Sequence, residues 1–174
     1  MKEEVPENFV FLKKIVKMKI TLLAIGKTDD KHLQLLIESY IKRLSHYVRF
    51  TFEIIPDIKN AKNLSEALQK QQEGEEILKR ITTADTLILL DEKGKTYDSE
   101  GFSEFLQKKM NSGLKNLVFV IGGPYGFSEE IYKRAEGKLS LSAMTFSHQM
   151  VRLFFIEQLY RGFTILRNEP YHHK

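Results

Sequence analysis

The residues of this chain that could hold a ligand against bare backbone lie late in the sequence. The stretch GGPYG at 122–126 directly follows the apolar run LVFVI at 117–121. Glycines after a strand indicate either a tight turn or a surface where a ligand lies against the main chain. Ligands of open α/β sheets bind beyond the carboxyl ends of the strands, so this position favours a site. The turn contains no Lys or Arg, which suits a neutral or cationic ligand with a flat ring.

A second group of candidate residues consists of imidazoles and a tyrosine around the last apolar segment. His148 precedes that segment, and YHHK at 171–174 follows Pro170, which ends the helix. An imidazole with an unperturbed pKa of about 6.5 can accept a proton at neutral pH. Tyr, His and Lys side chains also stack on bases and contact phosphates in single-stranded nucleic-acid sites. His148 could equally begin a helix and only pack, and we expect the four-residue tail to be unsupported.

Two nucleotide-binding motifs are incomplete in this chain. GKT at 26–28 matches the end of a phosphate-binding loop, but the glycine required five residues before Gly26 is Thr21. A Rossmann-type methyltransferase for small molecules would carry glycines after its first strand and an acid after its second. The chain has AIGKTDD and IIPD at those places, which fits that class badly.

The composition is that of an ordinary folded protein. Hydrophobic residues make up 42%, charged residues 29%, and the net charge of +4 is compatible with a polyanionic partner. The absence of cysteine excludes disulfides and thiolate metal sites, so we expect no metal and a cytoplasmic location. No apolar run approaches the roughly 20 residues of a membrane span. Residues 1–17 are a poor signal peptide and read as an N-terminal extension, which leaves one domain at 18–174.

Strand and helix patterns alternate along the chain. Apolar and alternating runs predict five strands, at 18–26, 49–56, 85–91, 116–123 and 138–144. Helical spacing predicts a helix after each strand, and Gly74 is expected to break the second of them. The alternation predicts an α/β domain with a mainly parallel sheet and helices on both faces. The last helix, within 147–167, is apolar nearly all round, so we expect a partner subunit to cover it; burial in the core alone is the alternative.

Several segments together resemble the bacterial RlmH family of SPOUT-class methyltransferases. They are MKITLLAIGK at 18–27, LDEKGK at 90–95, FVIGGPYGFSEE at 119–130, and the stretch from LSLSAMTFSHQ to the terminal PYHHK at 139–174. The resemblance implies an enzyme that uses S-adenosylmethionine to methylate N3 of a pseudouridine in 23S ribosomal RNA of the large subunit. It further implies a SPOUT-type fold with a C-terminal trefoil knot, and a homodimer.

The resemblance also implies where the cofactor binds. The expected contacts come from the end of the third strand, the first glycine of the turn and the loop after the last strand: Leu90, Gly122, Leu141, Ser142, Ala143, Met144, Thr145 and Phe146. On this interpretation the glycines are needed because the cofactor passes close to the main chain. The chain departs from the family pattern at Ser147, where a proline is usual, and by an extra histidine in the tail, which puts the reach of Lys174 in doubt.

The implied reaction is direct displacement at the methyl group by a nitrogen that must first lose its proton. We expect His148, His172 or His173 to act as the base and Tyr171 to stack on or orient the substrate. We expect the tail of one subunit to complete the site of the other. The expected RNA contacts are Arg152, Arg161, Arg167 and Lys174, together with Lys93 and Lys95. The alternative from another class is a ribosome-binding or RNA-binding module without catalysis, which would need no cofactor pocket.

Overall fold

The structure is a computed structural model that describes residues 18–172. The predicted extension at 1–17 lies outside the described residues, as do His173 and Lys174. The strands are β1 (Lys19–Ile25), β2 (Arg49–Ile55), β3 (Thr86–Thr96), β4 (Asn116–Ile121) and β5 (Gly137–Ser140). The helices are α1 (Lys31–Leu44), α2 (Glu66–Leu78), α3 (Ser99–Asn111), α4 (Glu129–Arg134) and α5 (Met150–Leu166), and a 3-10 turn covers Ala61–Asn63. None of these helices is long and apolar enough to cross a membrane.

The five strands form one parallel sheet in the order β2-β1-β4-β3-β5. Leu22 in the central strand β1 pairs with Phe52 of β2 on one side and with Phe119 of β4 on the other. The carboxyl ends of all five strands therefore lie at one edge of the sheet. The predicted α/β fold with a parallel sheet is confirmed, and the knot implied by the resemblance stays a prediction.

Helices cover both faces of the sheet, as predicted. Successive strand residues point to opposite faces, so each buried strand feeds two cores. On one face α1, α3 and α5 pack against a core that contains Phe119 and Phe155. On the other face Ile77 of α2 and Ile131 of α4 pack against Val120. Full burial of one such side chain stabilises the fold by about 1.5–3 kcal/mol, and these five are nearly or fully buried.

The bounds of the two strands at the end of the sheet differ from the prediction. β3 continues past residue 91 to Thr96, and its pairing with β5 shifts register between Leu90 and Lys95. β5 ends at Ser140, where the chain leaves the sheet. Residues 141–149 therefore form a loop, and the predicted strand end at 141–144 is wrong. This loop is long enough to cover part of the carboxyl edge of the sheet.

The second helix runs through Gly74 without the predicted break. The glycine is buried against α4, where an added Cβ would lie 2.7 Å from Ser128 Oγ. A side chain at position 74 would therefore push the two helices apart. Ser128 also caps α4, because its hydroxyl accepts a hydrogen bond from the Ile131 amide. The packing brings α2 close to the residues that follow β4.

Candidate active site

A cleft of about 440 Å³ opens at the carboxyl edge of the sheet, where β3, β4 and β5 end. Its walls contain all the predicted cofactor contacts except Ala143: Leu90, Gly122, Leu141, Ser142, Met144, Thr145 and Phe146. Ala143 is exposed and lies outside the lining. The cleft thus brings together three segments that are far apart in the sequence. What these residues bind remains a prediction.

The glycine turn forms one wall of this cleft and is also a tight turn. Gly123 and Gly126 pair as an antiparallel bridge, with Gly126 N–H donating to Gly123 O at 3.2 Å. Gly126 has a φ of +79°, a left-handed conformation that glycine adopts without strain. The two interpretations left open by the sequence, a turn and a ligand surface, are therefore compatible.

Packing gives the glycines a second reason beside the expected closeness of a cofactor, which stays a prediction. A Cβ at Gly122 would meet the ring of Phe127 at 3.0 Å, and one at Gly123 would lie 2.6 Å from the carboxyl carbon of Glu73. The Cβ of residue 123 would point away from the cleft toward Glu73, whereas Phe127 is one of the residues that line the cleft. The bare backbone is also required by the residues that pack against the turn, which the sequence pattern did not reveal.

The charged groups of the cleft are mostly acidic. Asp91 and Glu92 line it, with Lys93 as the cation among the side chains that form its walls. The Tyr132 hydroxyl donates to Asp91 Oδ2 at 2.6 Å, and the Lys93 amide donates to Asp91 Oδ1 at 2.8 Å. Burial and this carboxylate raise the pKa of Tyr132 to about 12, so the phenol stays protonated. Sequence reasoning missed Asp91 and Tyr132, although Asp91 directly follows the predicted contact Leu90.

His148 lies in the cleft wall at the end of the loop that precedes α5. Burial of part of its side chain lowers the pKa of the imidazole, and the positive charge of Arg152 lowers it further. The neutral form therefore dominates at pH 7, and neutral imidazole is the form that can accept a proton.

The first residue of the tail is anchored, and the expectation of an unsupported tail is wrong for it. Tyr171 folds back along α5, where its hydroxyl donates to Glu157 Oε1 at 3.0 Å and lies 3.2 Å from the Tyr40 hydroxyl. Its ring packs edge-on against Tyr160 with 4.7 Å between centroids. Burial raises the pKa of Tyr171, and the two hydrogen bonds raise it further.

Neither Tyr171 nor His172 lines the cleft of its own chain. Glu157, the anchor of Tyr171, is nine residues after His148, which corresponds to about 13 Å along a helix axis. The Nδ1 atom of His172 is buried and has no hydrogen-bond partner among residues 18–172. Within one chain, Tyr171 and His172 therefore lie outside the cleft that contains His148.

Arg152 does not have the surface position expected of an RNA contact. Its side chain is 1% exposed, and the guanidinium donates to Thr28 Oγ1 and to Ile25 O, both at 2.8 Å. Burial lowers its pKa, with the carboxylates of Asp57 and Asp29 opposing that effect. We therefore withdraw Arg152 from the set of RNA contacts, since it connects α5 to the end of β1.

The other predicted RNA contacts within residues 18–172 are more accessible. Arg161 pairs with Glu157 at 2.6 Å and lies over the Tyr171 ring, so it belongs to the anchor of the tail. Arg167 stacks on Tyr47 at 4.2 Å, and its side chain is 32% exposed. Lys93 and Lys95 are exposed on the extended part of β3.

Comparison with known proteins places the chain in a family. The family model described as "Predicted SPOUT methyltransferase" matches residues 18–172. A protein of Flavobacterium johnsoniae named ribosomal RNA large subunit methyltransferase H is 74% identical over 157 residues, which is 90% of this chain and 100% of the relative. Proteins of the same name from Flavobacterium psychrophilum and Christiangramia forsetii are 71% and 66% identical over the same shares. The family match is consistent with the parallel-sheet fold and with the cleft at its carboxyl edge. The chain belongs to the SPOUT methyltransferase family.

Proposed function

We propose that this protein is an S-adenosylmethionine-dependent methyltransferase that modifies N3 of a pseudouridine in 23S ribosomal RNA of the large subunit. The observation that carries the proposal is the cleft at the carboxyl edge of the sheet, walled by the glycine turn and by the loop at 141–149. The names of the 74% and 71% identical relatives support a ribosomal RNA substrate. That substrate would place the enzyme in the cytoplasm.

The residues of the cleft fit this cofactor. Leu90, Leu141 and Phe146 offer apolar surface for a flat adenine ring, and the backbone of the glycine turn offers hydrogen-bonding groups. Asp91 and Glu92 give the cleft a negative bias, which suits a cationic sulfonium better than a phosphate. When bound, S-adenosylmethionine supplies an electrophilic methyl group, and the protein supplies binding and orientation.

The chain must also handle a proton, because an imide nitrogen is a poor nucleophile until it is deprotonated. His148 is the best-placed base, since it lies in the cleft wall and its lowered pKa keeps it neutral at pH 7. A positioned general base contributes about 10²–10⁴-fold to a rate. Correct placement of the two reactants would supply much of the rest.

We further propose that the enzyme works as a homodimer whose sites are shared. Tyr171 is anchored on α5 by Glu157 and Tyr40, away from the cleft of its own chain. The anchor fixes the point from which His172 and the residues after it start. A second subunit packed on the half-buried apolar residues of α5 would bring its cleft to this tail. In that arrangement Tyr171 positions the tail, and His172 reaches the substrate bound by the partner.

The RNA surface then follows from the position of the tail. Arg161 lies over the Tyr171 ring, and Arg167 directly follows the end of α5. Lys93 lies in the cleft wall, and Lys95 follows it on β3. Together they would contact phosphates on both sides of a nucleotide held in a shared site.

The first experiment is calorimetry with S-adenosylmethionine on the wild type and two matched variants. Thr145→Trp places an indole in the cleft wall at an exposed position, and Ser39→Trp places one on the exposed side of α1. We expect one cofactor per chain, an affinity at least about tenfold weaker for Thr145→Trp, and no change for Ser39→Trp. A binding module without catalysis would give no binding heat with any of the three proteins.

A further inference from the structure

A buried carboxyl group lies directly behind the glycine turn. Glu73 of α2 is 3% exposed and is absent from the residues that line the cleft. Its carboxyl carbon lies 2.6 Å from the place that a Cβ at Gly123 would occupy. The carboxyl group therefore packs against the turn on the side away from the cleft.

The hydrogen bonding of this carboxyl group is incomplete. Gln69 Nε2 donates to Oε1 at 2.9 Å. Oε2 is buried and has no well-formed hydrogen bond within the described part of the chain. The glycine turn lies against this carboxyl group, and the backbone N–H of Gly123 lowers its pKa. An acid that is buried with an open acceptor calls for an explanation, because such groups are normally paired.

The surroundings disfavour the charged form of Glu73. Burial raises the pKa of its carboxyl group, and the negative charge of Asp57 raises it further. The Gln69 amide and the Gly123 N–H oppose these effects without cancelling them. Asp57, which lies in the segment after β2, is the ionisable group from another element that affects the pKa of Glu73. Gln69 belongs to α2 itself and lies one turn before Glu73.

We propose that Glu73 is a positioning residue for the cleft: its ionised carboxylate accepts a hydrogen bond from Gly123 N–H and fixes the backbone of the glycine turn for cofactor binding. When Glu73 takes up a proton, the hydrogen bond to the amide weakens and the turn loses this support. The affinity for the cofactor then depends on pH through a group that does not touch the cofactor. This inference rests on the proposed function, since it assigns a role toward S-adenosylmethionine.

If Glu73 acts in this way, the free energy of unfolding and the affinity for S-adenosylmethionine change in opposite directions with pH. Glu73 binds its proton more tightly in the folded than in the unfolded chain, so its contribution to stability falls as pH rises from the unfolded pKa to the raised folded one. Affinity should rise through the same interval, because ionisation completes the bond to Gly123. A carboxyl group that only fills space would not produce opposite slopes.

The test compares wild type with Glu73→Gln, which keeps the shape and removes the ionisation, and with Glu75→Gln as a control. Glu75 lies on the exposed side of the same helix. Calorimetry with S-adenosylmethionine between pH 5 and 8 should show affinity rising with pH for the wild type and the control, by up to about tenfold. Glu73→Gln should bind weakly at all pH values, although cofactor-free Glu73→Gln should unfold at the same or higher temperature than the wild type at pH 8.

Hydrogen exchange of the Gly123 amide tests the same contact without the cofactor. At one pH near 8, exchange should be faster in Glu73→Gln than in the wild type and unchanged in Glu75→Gln. A wild-type affinity profile and wild-type exchange in Glu73→Gln would overturn the inference. If the wild type itself fails to bind S-adenosylmethionine at every pH, the proposed function is what fails, while the exchange rates still decide whether Glu73 holds the turn.

Discussion

Phe127 occupies the space that a side chain at position 122 would need, since a Cβ on Gly122 would lie 3.0 Å from Phe127 Cε1. The Phe127 ring is itself held edge-on against Tyr132, with 5.8 Å between the ring centroids. Tyr132 in turn donates to Asp91 in the cleft wall. The shape of the cleft is thus set by packing that begins behind the glycine turn.

Gly122→Ala should therefore disturb the turn and not only block a ligand. An added methyl in a packed region costs about 1–3 kcal/mol, so we expect that loss in the free energy of unfolding, with weaker cofactor binding. Gly137→Ala is the matched control, because a Cβ there makes only an ordinary contact with Ile88 at 3.4 Å. Urea unfolding and calorimetry measure the two effects.

The double variant Gly122→Ala with Phe127→Leu separates packing from ligand contact. Replacing the ring by a smaller side chain should recover part of the lost cofactor affinity. If the double variant binds no better than Gly122→Ala, the methyl group acts on the ligand side of the turn and the packing explanation is wrong.

Arg152→Met should destabilise the fold, because it removes the charge-assisted hydrogen bonds to Thr28 and Ile25. Hydrogen bonds to charged groups contribute about 1.5–3 kcal/mol, and we expect a loss of that size in urea unfolding. Arg167→Met, at a more exposed site, should leave stability nearly unchanged and should reduce both RNA affinity and its dependence on salt. If Arg152→Met instead kept its stability and lost RNA affinity, Arg152 would be an RNA contact after all.

The rate of methyl transfer should depend on pH through His148. Its pKa is below the ordinary value, so the rate should fall on acidification below about pH 6.5 and stay level through neutral pH. His148→Asn should lose this acidic limb and lower the plateau by about 10²–10⁴-fold. His32→Asn is the control, because His32 is exposed at the start of α1. An unchanged profile in His148→Asn would exclude His148 as the base.

Tyr171→Phe should impair the reaction more than the fold. The variant loses the hydrogen bonds to Glu157 and Tyr40, which should cost about 1 kcal/mol of stability. Cofactor affinity should not change, since Tyr171 lies outside the cleft. Methyl transfer should slow because the residues after it are no longer held in place. Tyr97→Phe, at a half-buried position outside the cleft, is the control for the loss of a hydroxyl.

Mixing two inactive variants tests whether the site is shared. A chain without residues 171–174 should keep its cleft, and Thr145→Trp should keep its tail. Mixed dimers would contain one intact cleft facing one intact tail. At random assortment of equal amounts, about half of the dimers are mixed and each has one complete site of two, so activity should return to about a quarter of the wild type. Absence of activity in mixtures that form mixed dimers would place tail and cleft in one chain.

The order of the elements could be predicted from the sequence because burial on both faces makes the inner strands β1 and β4 mostly apolar, while β2 alternates. The runs at 18–26 and 116–123 were long enough to give strands of nearly the right bounds, although β4 ends at Ile121, before the two glycines. The end of β5 was overestimated, since LSLSAM alternates like a strand although only its first residues pair with β3. Pattern alone could not find such an ending, which depends on where the neighbouring strand stops.

The parts of the site that were missed depend on packing between distant segments. Glu73 looks like a solvent-facing acid in a charged helix, and its burial follows only from the position of the glycine turn. Arg152 likewise looks like a surface base, although α5 passes close to the end of β1. The expectation of an unsupported tail failed for Tyr171, because its hydrogen-bond partners Glu157 and Tyr40 come from elsewhere in the sequence.

The most direct measurement is transfer of an isotopically labelled methyl group from S-adenosylmethionine to ribosomes that lack this modification. After digestion of the 23S ribosomal RNA, mass spectrometry should find about one labelled methyl per ribosome, on N3 of one pseudouridine, and none with Thr145→Trp. A wild-type protein that binds the cofactor and the ribosome but leaves the RNA unlabelled would contradict the proposed function.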